Sequence, residues 1–254
     1  MIEATGKNHG WDPLEQALWD WHQGQPKGDI RMHAHSPAGI PIEEVQMISA
    51  EVFFTQELPE TEALALDLCR GRVLDIGAGT GRHTLLLQEQ GLPVWALDRS
   101  PVALRIMAER GIRHRIQADI FDWTGPEVRF DTLLLLMNGI GLVGSLAGLD
   151  HFLRLARDWL EPTGQMLLDS TDLRDAQKED DETENSENPR STPADPEEGV
   201  VQFVAEYNGY RGDPFSWLFV EPEALLQHAQ ATGWQGQIIY QDPAGAFLAR
   251  LTPI

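Results

Sequence analysis

The residues of this chain best placed to do chemistry lie in "VLDIGAGTG", residues 73–81, where Asp75, Gly77, Gly79 and Gly81 stand at alternate positions around a short apolar run. Val73, Leu74 and Ile76 suit a buried parallel strand that ends in a tight turn. Glycines at that turn open backbone conformations closed to other residues and let a ligand approach the main chain without meeting a side chain. The chemistry implied is therefore capture of a ligand at a strand end. Rossmann dehydrogenases and several nucleotide binders share such a turn. The dinucleotide pattern G-x-G-x-x-G requires glycine at 82, where this chain has Arg82, a residue that does not fit close packing of helix against sheet.

Other reactive side chains form no comparable constellation. His33 and His35 in "RMHAH" have a spacing that supports a metal only if a third ligand converges. No cysteine or carboxylate motif accompanies them, and no metal is expected. His83, just after the glycine turn, is expected beside the ligand or exposed. Cys69 is the single cysteine, which excludes an intrachain disulfide, and on an apolar helix it reads as a core residue. "GSLAG" has its serine one position early for a nucleophile elbow.

The elements that must position the glycine turn follow from periodicity. Residues 11–25 predict a short helix outside the core, with Asp12 as N-cap and Pro13 at the first helical position. Residues 26–40, rich in Gly, Pro and His, read as loop, and 41–57 and 59–69 as helices. A strict alternation then begins: strand 72–76, a helix closed by Gly91, strand 93–98, helix 101–111, a weaker strand at 112–117, strand 131–137, helix 146–160 and strand 164–170. Such alternation specifies an α/β fold with a parallel sheet and helices on both faces. Farther on, Asn208-Gly209 marks a hairpin, a helix spans about 222–232, and a terminal hairpin crosses Asp242-Pro243.

At this point the chain resembles the class I S-adenosylmethionine-dependent methyltransferases, over roughly residues 58–172. "VLDIGAGTG" looks like their first motif, "ALDRS" places Asp98 at the end of the second strand, and "QADIFDW" supplies Asp119 with Ile120 beside it. The resemblance implies a Rossmann-like, seven-stranded, mostly parallel sheet with a C-terminal antiparallel strand. It also implies S-adenosylmethionine as cofactor and S-adenosylhomocysteine as product. Asp75, Gly77, Ala78, Gly79, Thr80 and Gly81 would face the methionine part, Asp98 with Arg99 the ribose, and Asp119 with Ile120 the adenine. Met137 and Asn138 would stand near the transferring methyl. A carboxylate can accept two hydrogen bonds from a ribose diol, and acidic residues suit a ligand that carries a sulfonium and no phosphate. The chain departs from the Asn/Asp-Pro-Pro-aromatic motif of many DNA and protein methyltransferases, reading Asn138-Gly139-Ile140-Gly141 instead. Phe53, Phe54, Asn138, Gly139, Tyr207, Tyr210 and Arg211 are the expected acceptor contacts, and no catalytic base is nominated.

Composition narrows the partners. A formal net charge of −21 disfavours phosphate backbones and anionic membranes, so a small-molecule acceptor is expected and nucleic acid is not. Residues 175–198 hold ten acidic residues against two basic ones and no large apolar side chain, and read as a solvated, mobile insertion. The expected organisation is a helical N-terminal extension or lid at 1–57 and a methyltransferase domain at 58–254. With no secretory signal or membrane-length apolar run, a soluble cytoplasmic protein is expected. Oligomeric state is not indicated. A non-catalytic S-adenosylmethionine-binding interaction protein and a nicotinamide-dependent oxidoreductase are the alternative functions.

Overall fold

A computed structural model describes residues 10–35, 41–174 and 199–254; the acidic stretch 175–198 lies outside the described residues. The central sheet has seven strands, β3 (Val73–Ile76), β4 (Val94–Asp98), β5 (His114–Gln117), β6 (Phe130–Leu135), β7 (Leu160–Thr171), β11 (Trp234–Gln241) and β12 (Ala246–Pro253). Their spatial order is β11-β12-β7-β6-β3-β4-β5. Strands β5, β4, β3, β6 and β7 run parallel, while β12 joins β7 and β11 joins β12 antiparallel. The expected fold class is thus observed.

Successive residues on the middle strands face opposite sides and both sides are buried. Leu133 and Leu135 of β6 pack with α5 (Leu146–Trp159) and α6 (Pro222–Ala231). Leu134 and Leu136 pack on the other face with α2 (Glu60–Leu68) and α3 (Arg82–Glu89). This is the reason "DTLLLLM" shows no alternation in hydropathy: a strand covered on both faces has no polar side. Helix α5 buries Leu149, Phe152, Leu153, Ala156 and Trp159, one stripe at helical spacing, and Ser145 caps it by accepting from Gly148 N at 3.0 Å.

The N-terminal region departs from expectation. Helix α1 (Asp12–His22) is present, with Trp11 rather than Asp12 at the N-cap position. Residues 26–57, expected as loop and helix, instead hold two strands, β1 (Ile30–His35) and β2 (Pro41–Ile48), and a 3-10 turn at Ala50–Phe53. They join β8 (Val200–Tyr207), β9 (Tyr210–Arg211) and β10 (Phe215–Leu218) in a second, antiparallel sheet ordered β10-β8-β1-β2, with β9 also on β8. Tertiary pairing, Ile30 opposite Ile48 and Met32 opposite Ala205, overrides the weak helical propensity of "PIEEVQMI". Nor is α1 outside the core, since Ala17 and Leu18 are buried with Ile30, Phe203 and, from α4 (Pro101–Glu109), Ile106. The expected boundary at residue 57 therefore separates strands that share a sheet. The hairpins at Asn208-Gly209 and Asp242-Pro243 form as expected, the first with φ of 50° and 78°.

Candidate active site

A cleft of about 390 Å³ opens beyond the carboxyl ends of β3, β4 and β6, the position where open α/β sheets hold ligands. The glycine turn forms its floor. Gly77, Gly79 and Gly81 all have positive φ, but what surrounds them differs. A Cβ at Gly81 would collide with Ile112 and Met107, so Gly81 provides the close packing that Arg82 cannot. A Cβ at Gly79 would meet nothing nearer than Gly77 O at 4.0 Å, and Gly79 borders the cleft. Gly79 is thus the position where the backbone of the turn is left bare toward the cleft.

The carboxylates are fixed by this backbone. Asp98 accepts from Gly79 N and from Ser100 N, both at 2.8 Å, tying the end of β4 to the glycine turn and to the cap of α4. Two bonds leave a carboxylate further acceptor sites. Asp75 is fully buried under the turn and accepts from Thr84 Oγ1 at 2.5 Å. Burial raises the pKa of both groups. Asp119, after β5, accepts from Phe121 N at 3.0 Å and lies 3.7 Å from Arg99, while Ile120 is buried beside it.

Above the turn, the segment before β3 is strapped down. Arg82 donates to Val52 O at 2.7 Å and to Glu62 at 2.7 Å, and Thr80 donates to Phe53 O. His83, buried, meets the same Glu62 carboxylate at 2.6 Å. Burial lowers the Arg82 pKa, and the nearby Glu62 opposes that shift. Arg82 Nε is buried without a hydrogen-bond partner, an orphan donor in the wall of the cleft.

Of the expected cofactor residues, Asp75, Gly77, Ala78, Gly79, Thr80, Asp98, Arg99, Asp119, Ile120 and Met137 border this one cleft, and Gly81 does not. Asn138 does not border it either: its Oδ1 accepts from Thr171 Oγ1 at 2.9 Å. Of the expected acceptor residues, Phe53 and Gly139 line the cleft. Phe54 instead stacks on His22, with Arg110 over its ring. Tyr207, Tyr210 and Arg211 also lie elsewhere. Tyr207 is buried in the second sheet, accepting from Lys27 N and donating to Asp20, while Tyr210 is exposed and Arg211 pairs with Glu206 at 2.6 Å. Pairing across β8 and β9 turns these side chains away, and the strand that reaches the cleft is the next one, β10.

That strand begins in the late region 207–217 expected on the acceptor side, but its wall residues, and those of α1, differ from the side chains singled out in the sequence. Phe215, Ser216 and Trp217 come from β10, and Trp11, Leu14 and Glu15 from α1 and its cap. Trp11 stacks on Phe215 at 4.2 Å between ring centroids. The Trp217 indole occupies the space a Cβ at Gly141 would need, so Gly141 is a slot for an aromatic ring rather than a hinge. Burial raises the Glu15 pKa, while a hydrogen bond with Ser100 opposes the shift. Elsewhere, the Cys69 thiol donates to Ala65 O at 3.3 Å and burial pushes it up to about 12, which favours the protonated thiol near neutral pH. His33 bonds Glu206 at 3.0 Å across the second sheet.

Comparison with known proteins bears on the fold and the family. Residues 73–164 match the family model described as a methyltransferase domain. A solved S-adenosylmethionine-dependent methyltransferase from Bacteroides fragilis, in complex with S-adenosylhomocysteine, is 31% identical over 97% of each chain, with a TM-score of 0.81. The CcbJ methyltransferase of Streptomyces caelestis shares the fold at 15% identity and a TM-score of 0.58, over 77% of this chain and 90% of its own. Among curated proteins, the ribosomal RNA large subunit methyltransferase M of Aromatoleum aromaticum is 34% identical over 111 residues, which are 44% of this chain and 27% of that protein.

Proposed function

This chain belongs to the S-adenosylmethionine-dependent methyltransferases, and we propose that it transfers the sulfonium methyl of S-adenosylmethionine to a nucleophilic atom of a small acceptor, releasing S-adenosylhomocysteine. The small-acceptor reading is carried by the roof of the cleft, which α1, the turn at Ala50–Phe53 and β10 of the same chain close with Trp11, Phe53, Phe215 and Trp217. An aromatic pocket of this kind suits a small organic molecule, whereas a polynucleotide requires an open basic groove. Each of the two arginines in the wall has a carboxylate beside it, Arg82 with Glu62 at 2.7 Å and Arg99 with Asp119 at 3.7 Å, so the wall is not a strongly basic surface. The net charge of −21 supports the same reading.

In this proposal Asp98 accepts from the ribose hydroxyls with the lone pairs that Gly79 and Ser100 leave free, and Gly79 allows the methionine part to lie against bare backbone. Asp119 and Ile120 serve the adenine. S-adenosylmethionine, when bound, supplies a methyl on a sulfonium that departs as a neutral thioether. The chain then has to align the acceptor and keep water out, and no base is assigned.

The 111-residue similarity to a ribosomal RNA methyltransferase supports an RNA acceptor as a second reading. Calorimetry with S-adenosylhomocysteine, followed by measurement of S-adenosylhomocysteine production from pools of small amines, phenols and thiols and from RNA, separates the two. Turnover on the small-molecule pools is expected, and turnover on RNA alone would overturn the small-acceptor reading.

A further inference from the structure

We propose that Asp169 is a positioning residue for methyl transfer, holding the backbone of Met137–Gly139 in a left-handed turn at the acceptor side of the cleft. The proposal rests on the methyltransferase reading above. Met137 and Asn138 have φ of 64° and 54°, two successive side-chain-bearing residues in a region that L residues rarely adopt. Something must hold them there. Asp169, on β7 beside the end of β6, accepts from Met137 N through Oδ2 at 3.0 Å and from Gly139 N through Oδ1 at 3.3 Å. Thr171, two residues on along the same strand, donates to Asn138 Oδ1 at 2.9 Å. One strand therefore grips all three residues of the turn.

The turn matters because it leads into the 3-10 segment Gly139–Val143, whose Leu142 packs where a Cβ at Gly77 would stand and whose Gly141 receives Trp217. Met137, Gly139, Leu142 and Trp217 all border the cleft, whereas Asp169, 8% exposed, does not. Asp169 acts through the turn and not on the reacting atoms.

The grip is sensitive to protonation. Burial raises the Asp169 carboxyl to about 7, the Glu62 carboxylate pushes the same way, and Gly139 N, His83 and Met137 N oppose it. That Glu62 carboxylate is itself paired with Arg82 of α3 at 2.7 Å. The carboxylate offers both oxygens to the two N–H groups, whereas the acid replaces one acceptor with a hydroxyl donor.

The test uses the full chain bound to S-adenosylhomocysteine, so it does not depend on knowing the acceptor. In Asp169→Asn, amide exchange at Met137 and Gly139 should accelerate at least about tenfold at pH 8, while Leu134 in the core of β6 is unchanged and S-adenosylhomocysteine affinity stays within about threefold. S-adenosylhomocysteine production from the amine, phenol and thiol pools should fall about 10- to 100-fold. Adding Asn138→Gly should restore part of it, because glycine holds the left-handed conformation without a clamp. Unchanged exchange and unchanged turnover in Asp169→Asn would overturn the proposal. So would a double variant no more active than Asp169→Asn. Where Asp169→Asn does not fold, the wild type decides: the amides of Met137 and Gly139 should be protected from exchange as hydrogen-bonded groups are, and free exchange of both overturns it. If the wild type fails to bind S-adenosylhomocysteine at all, the methyltransferase reading itself falls, which is a separate result.

Discussion

Two glycines of the same motif should respond in opposite ways to the same added methyl. Both Gly79 and Gly81 are left-handed, with φ of 56° and 77°, so either alanine costs about 1–2 kcal/mol of conformational strain. Gly81→Ala also drives its Cβ into Ile112 and Met107, both buried, and overpacking of this kind costs a further ~1–3 kcal/mol. Its total is about 2–5 kcal/mol of stability. Gly79→Ala meets no protein atom, so its stability loss should stay near the strain alone, and its methyl projects into the cleft. Urea denaturation without ligand and calorimetry with S-adenosylhomocysteine separate the two. Gly79→Ala should lose at least about tenfold in affinity, or ~1.4 kcal/mol, with modest destabilisation. Gly81→Ala should be markedly less stable, with the affinity of its folded fraction closer to wild type. Equal destabilisation of the two variants, or wild-type affinity in Gly79→Ala, would refute the assignment of Gly79 as the bared position.

Asp98→Ala strands the N–H groups of Gly79 and Ser100, so it should cost about 2–4 kcal/mol in urea unfolding as well as affinity for S-adenosylhomocysteine; loss of affinity with full stability would contradict the dual role. Trp217→Ala should raise the acceptor KM about tenfold or more with S-adenosylhomocysteine affinity within about twofold, and Gly141→Ala should do the same by expelling the indole. A pH series of urea midpoints checks Asp169. Its carboxyl is raised to about 7 when folded against an ordinary ~3.9 unfolded. Protonation therefore favours the native state, and the group's contribution is complete below pH ~4 and lost as pH rises through 7. Wild type minus Asp169→Asn should accordingly decline by up to about 4 kcal/mol across that window, and a flat difference would remove the titration from Asp169.

The floor of the cleft was legible because its signals are local. A strand, a glycine turn and a carboxylate one strand later lie within 26 residues, from Val73 to Asp98, and each carries its own backbone requirement. The roof was not, for two physical reasons. In β1 the alternation of Ile30, Met32 and Ala34 with Arg31, His33 and His35 is a strand pattern, but surrounding Gly, Pro and His made the segment resemble loop. Phe215 and Trp217 stand on alternate residues of a strand whose facing direction depends on pairing with β8, and pairing is not written in periodicity. Within the expected region 207–217, Tyr207 and Tyr210 stand on β8 and β9, whereas Phe215 and Trp217 on β10 are the side chains that border the cleft. Gly141 was the available clue, a glycine with ordinary φ whose missing side chain makes room for Trp217.

The second sheet joins residues from opposite ends of the chain, with Arg31 facing Glu206 and His35 facing Gln202. The cleft therefore consists of two parts with different histories during folding. Its floor comes from strands that follow one another between Val73 and Thr171, so neighbouring pieces can meet early. Its roof needs partners about 170 residues apart, and closing so long a loop is entropically slow. Pulse-labelled amide exchange should accordingly show β3, β4 and β6 protected before β1 and β8, so that the glycine turn is built before the aromatic roof that covers it.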